Sequence, residues 1–144
     1  MKPGVEAFLA EKTIAVVGVS RTKGFGNTVM QSLKERGYRV YPVNSQADTV
    51  EGERCYKSLE ELPQGVGGVL TVVPPAQTVK VVEECIRLGI KLIWMQQGSE
   101  SKEGIRLAEA NNITLVHHAC ILMYAQPTGG HRVHRWIWKI FGQL

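Results

Sequence analysis

The sequence predicts a three-layer α/β fold, with a doubly wound parallel sheet of about five strands between two layers of helices. Short apolar runs alternate along the chain with segments whose apolar residues recur at helical spacing. The first apolar run, residues 14–19, does not alternate with polar residues, which is typical of a parallel strand buried on both faces. Repeated strand-helix units of this length favour right-handed crossovers, which place helices on both faces of the sheet.

In the first half of the chain, residues that start or end an element predict three strands and two helices. Asn27 can cap the first helix, and Gly37 can end it because glycine tolerates a left-handed backbone. Ser58-Leu-Glu-Glu61 fits the capping-box pattern and predicts a short helix, after an irregular segment that turns at Glu51-Gly52. The expected ranges are strands at 14–19, 38–43 and 69–73, helices at 27–36 and 58–61, and the irregular segment at 44–57.

The second half of the chain predicts two strands and three helices. Pro75 suits the first turn of a helix, Gly89 ends it, and Val79, Val82 and Ile86 form its inner stripe. The expected ranges are strands at 92–95 and 113–116, and helices at 75–88, 99–111 and 133–141. For the five strands, numbered along the chain, the natural expectation is the spatial order 3-2-1-4-5.

Composition predicts one globular domain over residues 1–144, because no linker, repeat or low-complexity tract interrupts it. Hydrophobic residues make up 44% and charged residues 21%, which are ordinary values, and the net charge of +4 suits an anionic ligand. No apolar run approaches the roughly 18 residues that span a bilayer. The first ten residues do not resemble a signal peptide, so we expect a cytoplasmic protein without a membrane partner.

The cysteines and histidines give weak signals for chemistry. Cys55, Cys85 and Cys120 form no CxxC pair, which argues against a redox motif or a zinc knuckle. Cys85 is expected in the core, and Cys120 is expected to pack under a loop, although a reactive Cys120 with a histidine base stays open. The histidines have no carboxylate or cysteine at ligand spacing, so no metal is expected.

The C-terminal segment combines aromatic and basic residues, a mixture that also occurs in nucleic-acid sites. Val133, Trp136, Ile137, Ile140 and Phe141 form one apolar stripe, however, which favours core or interface packing over nucleic-acid binding. Arg132 and Arg135 remain available to an anion or to a partner subunit, which leaves a homodimer open.

The loop after the first strand is the strongest candidate for a phosphate site. Ligands of such sheets bind at the carboxyl ends of the strands, where backbone N–H groups at a helix start attract anions. A dinucleotide fingerprint, G-x-G-x-x-G, would align with Gly18, Ser20 and Lys23, and only Gly18 fits. Ser20 offers a hydroxyl, and Lys23 or Arg21 offers positive charge. The alternative is a plain strand-to-helix turn whose polar residues face water.

The end of the second strand argues against NAD. An Asp or Glu normally binds the ribose hydroxyls there, whereas this chain has Val43 and Asn44. A neutral amide tolerates a nearby phosphate, although Asn44 could simply form an Asx-turn. Val73 and Pro74 after the third strand offer an apolar wall to an adenine or a pantetheine arm, and Gln96-Gln97 after the fourth offers neutral hydrogen-bonding groups.

Taken together, these residues resemble the small stand-alone CoA-binding domain proteins, which are similar in fold to the Rossmann-like N-terminal domain of the succinyl-CoA synthetase α subunit. The resemblance covers a core of about residues 12–123. No single motif is specific, but the ordered set is. The matching pieces are Val17-Gly-Val-Ser20, Gly37-Tyr-Arg-Val-Tyr-Pro-Val-Asn44, Glu51-Gly52, Cys55-Tyr-Lys-Ser-Leu59, Val72-Val-Pro-Pro75, Gly89-Ile-Lys-Leu-Ile-Trp-Met-Gln-Gln-Gly98 and Cys120-Ile-Leu-Met123.

The resemblance implies coenzyme A as the ligand and distributes its parts over four loops. It implies no ligase activity, because the phosphohistidine domain of the synthetase is not matched. We therefore expect binding of CoA or an acyl-CoA without catalysis, as a sensor or carrier; an NAD(P)-dependent oxidoreductase and a thiol-active Cys120 protein are the alternatives. The implied contacts are Gly18, Val19, Ser20, Lys23 and Asn27 with the phosphates, Val43 and Asn44 with the adenosine, Val73 and Pro74 along the nucleotide, and Gln96 and Gln97 near the pantetheine.

Overall fold

A five-stranded parallel sheet forms the centre of the structure, a computed structural model that describes residues 4–21, 23–63 and 66–124. Helices cover both faces of this sheet, which confirms the predicted three-layer, Rossmann-like fold. The strands of the sheet are β1 (Thr13–Val17), β2 (Arg39–Val43), β5 (Gly68–Thr71), β6 (Leu92–Gln96) and β7 (Thr114–Ala119), and a separate antiparallel hairpin contains β3 (Thr49–Val50) and β4 (Glu53–Arg54).

The spatial order of the strands is β2-β1-β5-β6-β7, so the expected order 3-2-1-4-5 is wrong. The third long strand, β5, lies beside β1, with Leu70 opposite Val16. Burial explains the difference, because all four residues of β5 are buried and this strand requires neighbours on both sides. Strand β2 occupies the edge, where Arg39 is exposed and Tyr41 is half-buried.

Four helices flank the sheet within the described residues, and they divide the core into two clusters. One cluster lies under α1 (Val5–Leu9) and α2 (Phe25–Glu35), and the other under α3 (Pro75–Leu88) and α4 (Lys102–Ala110). Helix α1 was not predicted, because its five residues are too few for a helical pattern. It packs Phe8 edge-on against the buried Trp94, with 5.4 Å between ring centroids.

Three helix starts differ from the sequence prediction. Helix α2 begins two residues before Asn27, after Gly24. Helix α4 begins at Lys102 instead of residue 99, because the Ser101 hydroxyl caps it by accepting a hydrogen bond from the Gly104 N–H. The expected capping box at Ser58 is also wrong, since its side chain makes no cap and only a single 3₁₀ turn follows, Leu59–Glu61.

Helix α3 has the bounds that Pro75 and Gly89 predict. Its buried side chains are Thr78, Val81, Val82 and Cys85, and Ile86 is half-buried against the same core cluster, so the expected stripe was right at Val82 and Ile86 but not at Val79. Thr78 also faces inward, at the point where the helix meets the loop after β6, and it donates a hydrogen bond to the Ser99 carbonyl at 2.7 Å.

The remaining expectations concern cysteines, membranes and the C-terminus. All three cysteines are buried, Cys85 completely, which confirms its place in the core. Within the described ranges, no helix has the length and apolar character that crossing a bilayer requires. In the same ranges, no three histidine, cysteine or acidic side chains cluster as metal ligands would. The predicted helix 133–141, with Arg132 and the apolar stripe, lies outside the described residues.

Candidate functional site

A cleft of about 650 Å³ opens at the carboxyl ends of β1, β2 and β5. From β1 the chain forms β2 as the neighbour on one edge of β1, and it later forms β5 as the neighbour on the opposite edge. The strand order therefore reverses direction at β1. Ligands of open α/β sheets bind at such a reversal. The lining contains six of the expected contacts, Gly18, Val19, Val43, Asn44, Val73 and Pro74, together with Val17, Ser45, Gln46, Lys57, Ser58, Val72, Gln77, Lys80, Val81 and Glu84.

Two glycines allow β1, β5 and α2 to meet at the cleft. Gly18 has φ of 125°, and a Cβ there would lie 2.3 Å from the Val72 carbonyl oxygen. A Cβ on Gly26 would lie 2.5 Å from the Gly18 carbonyl oxygen. Gly26 therefore permits the close helix-to-strand packing that a fingerprint glycine provides. The fingerprint spacing places Lys23 at this position, where no glycine stands; Gly26, three residues further along the chain, has the role instead because the loop is longer than the fingerprint allows.

Asn27 connects the first loop to helix α2. Its side-chain oxygen accepts a hydrogen bond from the Ser20 N–H at 2.7 Å, and its side-chain nitrogen donates to the Ser20 carbonyl at 2.8 Å. The side chain is 4% exposed, so Asn27 shapes the loop from inside and does not cap the helix as predicted. Ser20, Lys23 and Asn27 are not among the residues that line the cleft, and Lys23 is exposed.

Asn44 is held by the protein on both sides of its amide. Its nitrogen donates to the Val19 carbonyl at 2.7 Å, and its oxygen accepts from the Gln46 N–H at 2.7 Å. The second bond forms the Asx-turn that was the alternative interpretation. Asn44 thereby fixes the end of β2 against the loop after β1, and no carboxylate stands at this position.

The charged groups of the lining come from parts of the chain that sequence reasoning did not assign to the site. Lys57 pairs with Asp48 at 2.9 Å, and the hydrogen bond between these side chains raises the pKa of Lys57 and lowers the pKa of Asp48. Glu84 lies 3.6 Å from Arg87. Lys80 forms no ion pair with any residue of the described ranges. Lys80 lines the cleft and is exposed, so its charge stays available to a ligand.

Local sequence carried little signal for these residues. Lys57 and Ser58 lie inside one of the pieces that match the family pattern. They reach the cleft because they follow the hairpin of β3 and β4, and the sequence predicted no strand in that segment. Gln77 and Lys80 are three residues apart on α3, which places them on one helix face close to the helix start. The three-residue spacing is visible in the sequence, whereas the sequence does not show that this helix face points towards the cleft.

A smaller pocket of about 310 Å³ shares Val72, Val73 and Pro74 with the cleft and is closed by residues 97–99. Gln97 is exposed on this turn. Gln96 points the other way: it is 2% exposed, and its side-chain oxygen accepts a hydrogen bond from the Ile121 N–H. Of the two glutamines expected near the ligand, the structure therefore places only Gln97 at a surface.

Neither Cys120, which follows β7, nor His117 and His118, which lie near the end of β7, line the cleft. Cys120 is 3% exposed, as the packing interpretation expects. The Nδ1 atoms of His117 and His118 lie 2.6 Å apart, and Glu100 accepts a hydrogen bond from the His118 backbone. Among the hydrogen bonds of the described residues, none joins the Cys120 thiol to either of these histidines.

A family described as a CoA binding domain matches residues 12–126. The chain is similar to Acetate--CoA ligase [ADP-forming] II of Archaeoglobus fulgidus, with 34% identity over 74% of this chain and 16% of the relative. It is also similar to the α subunit of Acetate--CoA ligase [ADP-forming] II of Pyrococcus furiosus, with 36% identity over 71% of this chain and 23% of that subunit. The chain thus spans less than a quarter of the length of these relatives.

Solved structures of similar size share the fold. A conserved hypothetical protein from Pyrococcus furiosus has a TM-score of 0.73 and 37% identity, over 76% of this chain and 96% of the other. A hypothetical protein from Pyrococcus horikoshii has a TM-score of 0.75 and 33% identity, over 81% of this chain and 84% of the other.

Proposed function

The chain belongs to the CoA-binding domain family, and we propose that its cleft holds coenzyme A or an acyl-CoA without converting it. The family relationship supports CoA as the ligand. The ligase activity in the names of the longer relatives is not part of the proposal, because the chain matches only a small share of their length. The proposed role is that of a sensor of acyl-CoA or a carrier that presents CoA to a partner.

The observation that carries the proposal is the chemistry of the cleft at the end of β2. Asn44 stands where an NAD site normally has a carboxylate, and its amide is hydrogen-bonded within the protein. Lys57 and Lys80 add positive charge to the lining. CoA carries a diphosphate and a 3′-phosphate, so a lining with two ammonium groups and no acid at the strand end suits it.

The composition of the lining supports binding without turnover. Among the described residues that line the cleft, none is a cysteine or histidine, and Glu84, the acidic member, lies beside Arg87. The two basic members are Lys57 and Lys80, and the hydrogen bond with Asp48 raises the pKa of Lys57, which makes it a poor base. General acid-base catalysis needs a titratable group within hydrogen-bond reach of the reacting atoms. Asn44, Ser45 and Gln77 can bind and orient a ligand, but an amide or an unactivated hydroxyl does not transfer protons efficiently near neutral pH.

Calorimetric titration with CoA, acetyl-CoA and NADP tests the ligand. We expect saturable heat with CoA and acetyl-CoA and a much weaker response to NADP. The competing function is an NAD(P)-dependent enzyme, for which the sequence offers Arg21 and Lys23 to the 2′-phosphate; binding of NADP but not of CoA would favour it and overturn our proposal.

Mass spectrometry tests the absence of turnover and of thiol chemistry. After prolonged incubation, acetyl-CoA should remain intact apart from the hydrolysis seen without protein. The protein should carry no adduct of CoA mass, because Cys120 is 3% exposed. An adduct that disappears on reduction and in the Cys120→Ser variant would instead show that this thiol reacts.

A further inference from the structure

Three buried hydroxyls meet beneath the wall that the cleft and the smaller pocket share. Thr71 ends β5, Thr78 lies in the first turns of α3, and Ser99 follows β6; their exposures are 0%, 0% and 3%. The Ser99 hydroxyl oxygen lies 2.8 Å from the hydroxyl of Thr71 and 2.8 Å from that of Thr78. Thr78 donates to the Ser99 carbonyl at 2.7 Å. We call Thr71, Thr78 and Ser99 the hydroxyl cluster.

The hydrogen bonds of the hydroxyl cluster connect all three side chains. The Thr78 hydroxyl lies 2.7 Å from the Ser99 carbonyl and 3.5 Å from the Pro74 carbonyl, and in each bond between Ser99 and a threonine either hydroxyl can be the donor. When Thr78 donates to the Ser99 carbonyl, Ser99 to Thr78 and Thr71 to Ser99, each of the three protons is used once. A polar network of this kind in a buried place specifies a geometry more narrowly than apolar contacts do.

The hydroxyl cluster joins the two segments that form the smaller pocket. Residues 72–74 connect Thr71 to the helix that contains Thr78, and they form one wall. Residues 97–99 form the other wall, as a turn in which the Ser99 N–H donates to the Gln96 carbonyl and Gly98 has φ of 95°. The hydrogen bonds between Ser99 and both threonines therefore set the distance between the two walls.

We propose that Thr71, Thr78 and Ser99 are positioning residues that keep the smaller pocket at the width that takes the pantetheine arm of CoA. This inference rests on the proposed function, and it assigns a role to residues that do not all touch the ligand. The adenosine end of CoA occupies the larger cleft, whose lining includes neither threonine. The cluster thus controls the affinity for the arm separately from the affinity for the nucleotide.

The test compares CoA with adenosine 3′,5′-bisphosphate, which keeps the nucleotide and lacks the arm. In the Thr78→Val variant, the affinity for CoA should fall about tenfold, while that for the bisphosphate should stay within about twofold. Thr78→Ser retains the hydroxyl and should restore the affinity for CoA. Thr114→Val makes the same chemical change at an exposed position at the start of β7 and should leave both affinities unchanged.

Two results would overturn the proposal: an equal loss for both ligands, which indicates a general structural role, or no loss for CoA. If Thr78→Val does not fold, Ser99→Ala decides the matter, because it removes the hydroxyl without adding volume. Wild-type protein that does not bind CoA would defeat the proposed function itself. A different outcome would defeat only the positioning role: wild-type protein binds CoA, and the variants keep the wild-type ratio of the affinities for CoA and the bisphosphate.

Discussion

The side chain of Asn27 holds the backbone of Ser20 by two hydrogen bonds, accepting one from the N–H at 2.7 Å and donating one to the carbonyl at 2.8 Å. The pair joins the loop after β1 to the first turn of α2. A buried amide can provide both bonds because its donor and its acceptor are separate atoms at the end of one side chain. A carboxylate has no donor, and a hydroxyl has only one atom for both bonds.

Replacing Asn27 by alanine should lower the free energy of unfolding by about 1–3 kcal/mol, because both bonds to Ser20 are lost in a buried place. Urea unfolding measures the change. Thr28→Ala is the matched control: its hydroxyl makes only an exposed 3.4 Å bond to Gly24, so the loss should stay below about 0.5 kcal/mol. Equal stability of the Asn27 variant and wild type would show that the loop does not depend on this amide.

Gly26→Ala should destabilise the protein by about 1–3 kcal/mol, because its Cβ would lie 2.5 Å from the Gly18 carbonyl and α2 would have to move. Gly24→Ala is the control, since its Cβ would lie 3.5 Å from the nearest atom of Ser20 and its backbone is extended. Thermal unfolding with and without CoA measures both effects. If the two variants behaved alike, close packing at Gly26 would not be the constraint.

Lys80→Met should weaken CoA binding about tenfold and reduce its dependence on salt, because Lys80 has no ion-pair partner among the described residues and lines the cleft. Lys57→Met should have a smaller effect, since Lys57 already pairs with Asp48. Titration calorimetry at two salt concentrations measures both. Lys102→Met, at the exposed start of α4, is the control, and a Lys80 variant indistinguishable from it would contradict the prediction.

The buried thiol of Cys85 should lower the folding stability of the protein at alkaline pH. Burial raises the pKa of this thiol from 9.0 to about 12. Because the folded state holds the proton more tightly, stability is unaffected below about pH 9 and falls as pH rises towards 12. At pH 10.5 the loss from this thiol should be about 2 kcal/mol.

Urea unfolding of wild type and Cys85→Ala at pH 7 and pH 10.5, with reductant present, checks this dependence. Other groups also titrate in this range, so the informative quantity is the difference between the two proteins. The variant should be less stable at pH 7 but should lose less stability on going to the higher pH. Parallel losses in both proteins would show that the thiol does not couple to folding.

Local sequence was sufficient for the five long strands of the sheet and for the helices α2 to α4 between them, including the bounds of α3, but not for α1 or for the hairpin of β3 and β4. It also revealed the missing acid at Asn44. These features depend on neighbouring residues: Pro75 and Gly89 bound a helix by their own backbone preferences, and a strand end is recognised from the residues that adjoin it. The ordered set of short motifs then identified the family, which the match over residues 12–126 confirms.

Only the tertiary structure decided the order of the strands, the role of Gly26, and which side chains reach the cleft. Lys57 and Lys80 come to the same opening from a hairpin exit and a helix face, and Gln96 turns inward while its neighbour Gln97 turns outward. Each of these outcomes depends on contacts between residues far apart in the chain. A local pattern records what a segment prefers, whereas the packing of β5 beside β1 determines what each segment faces.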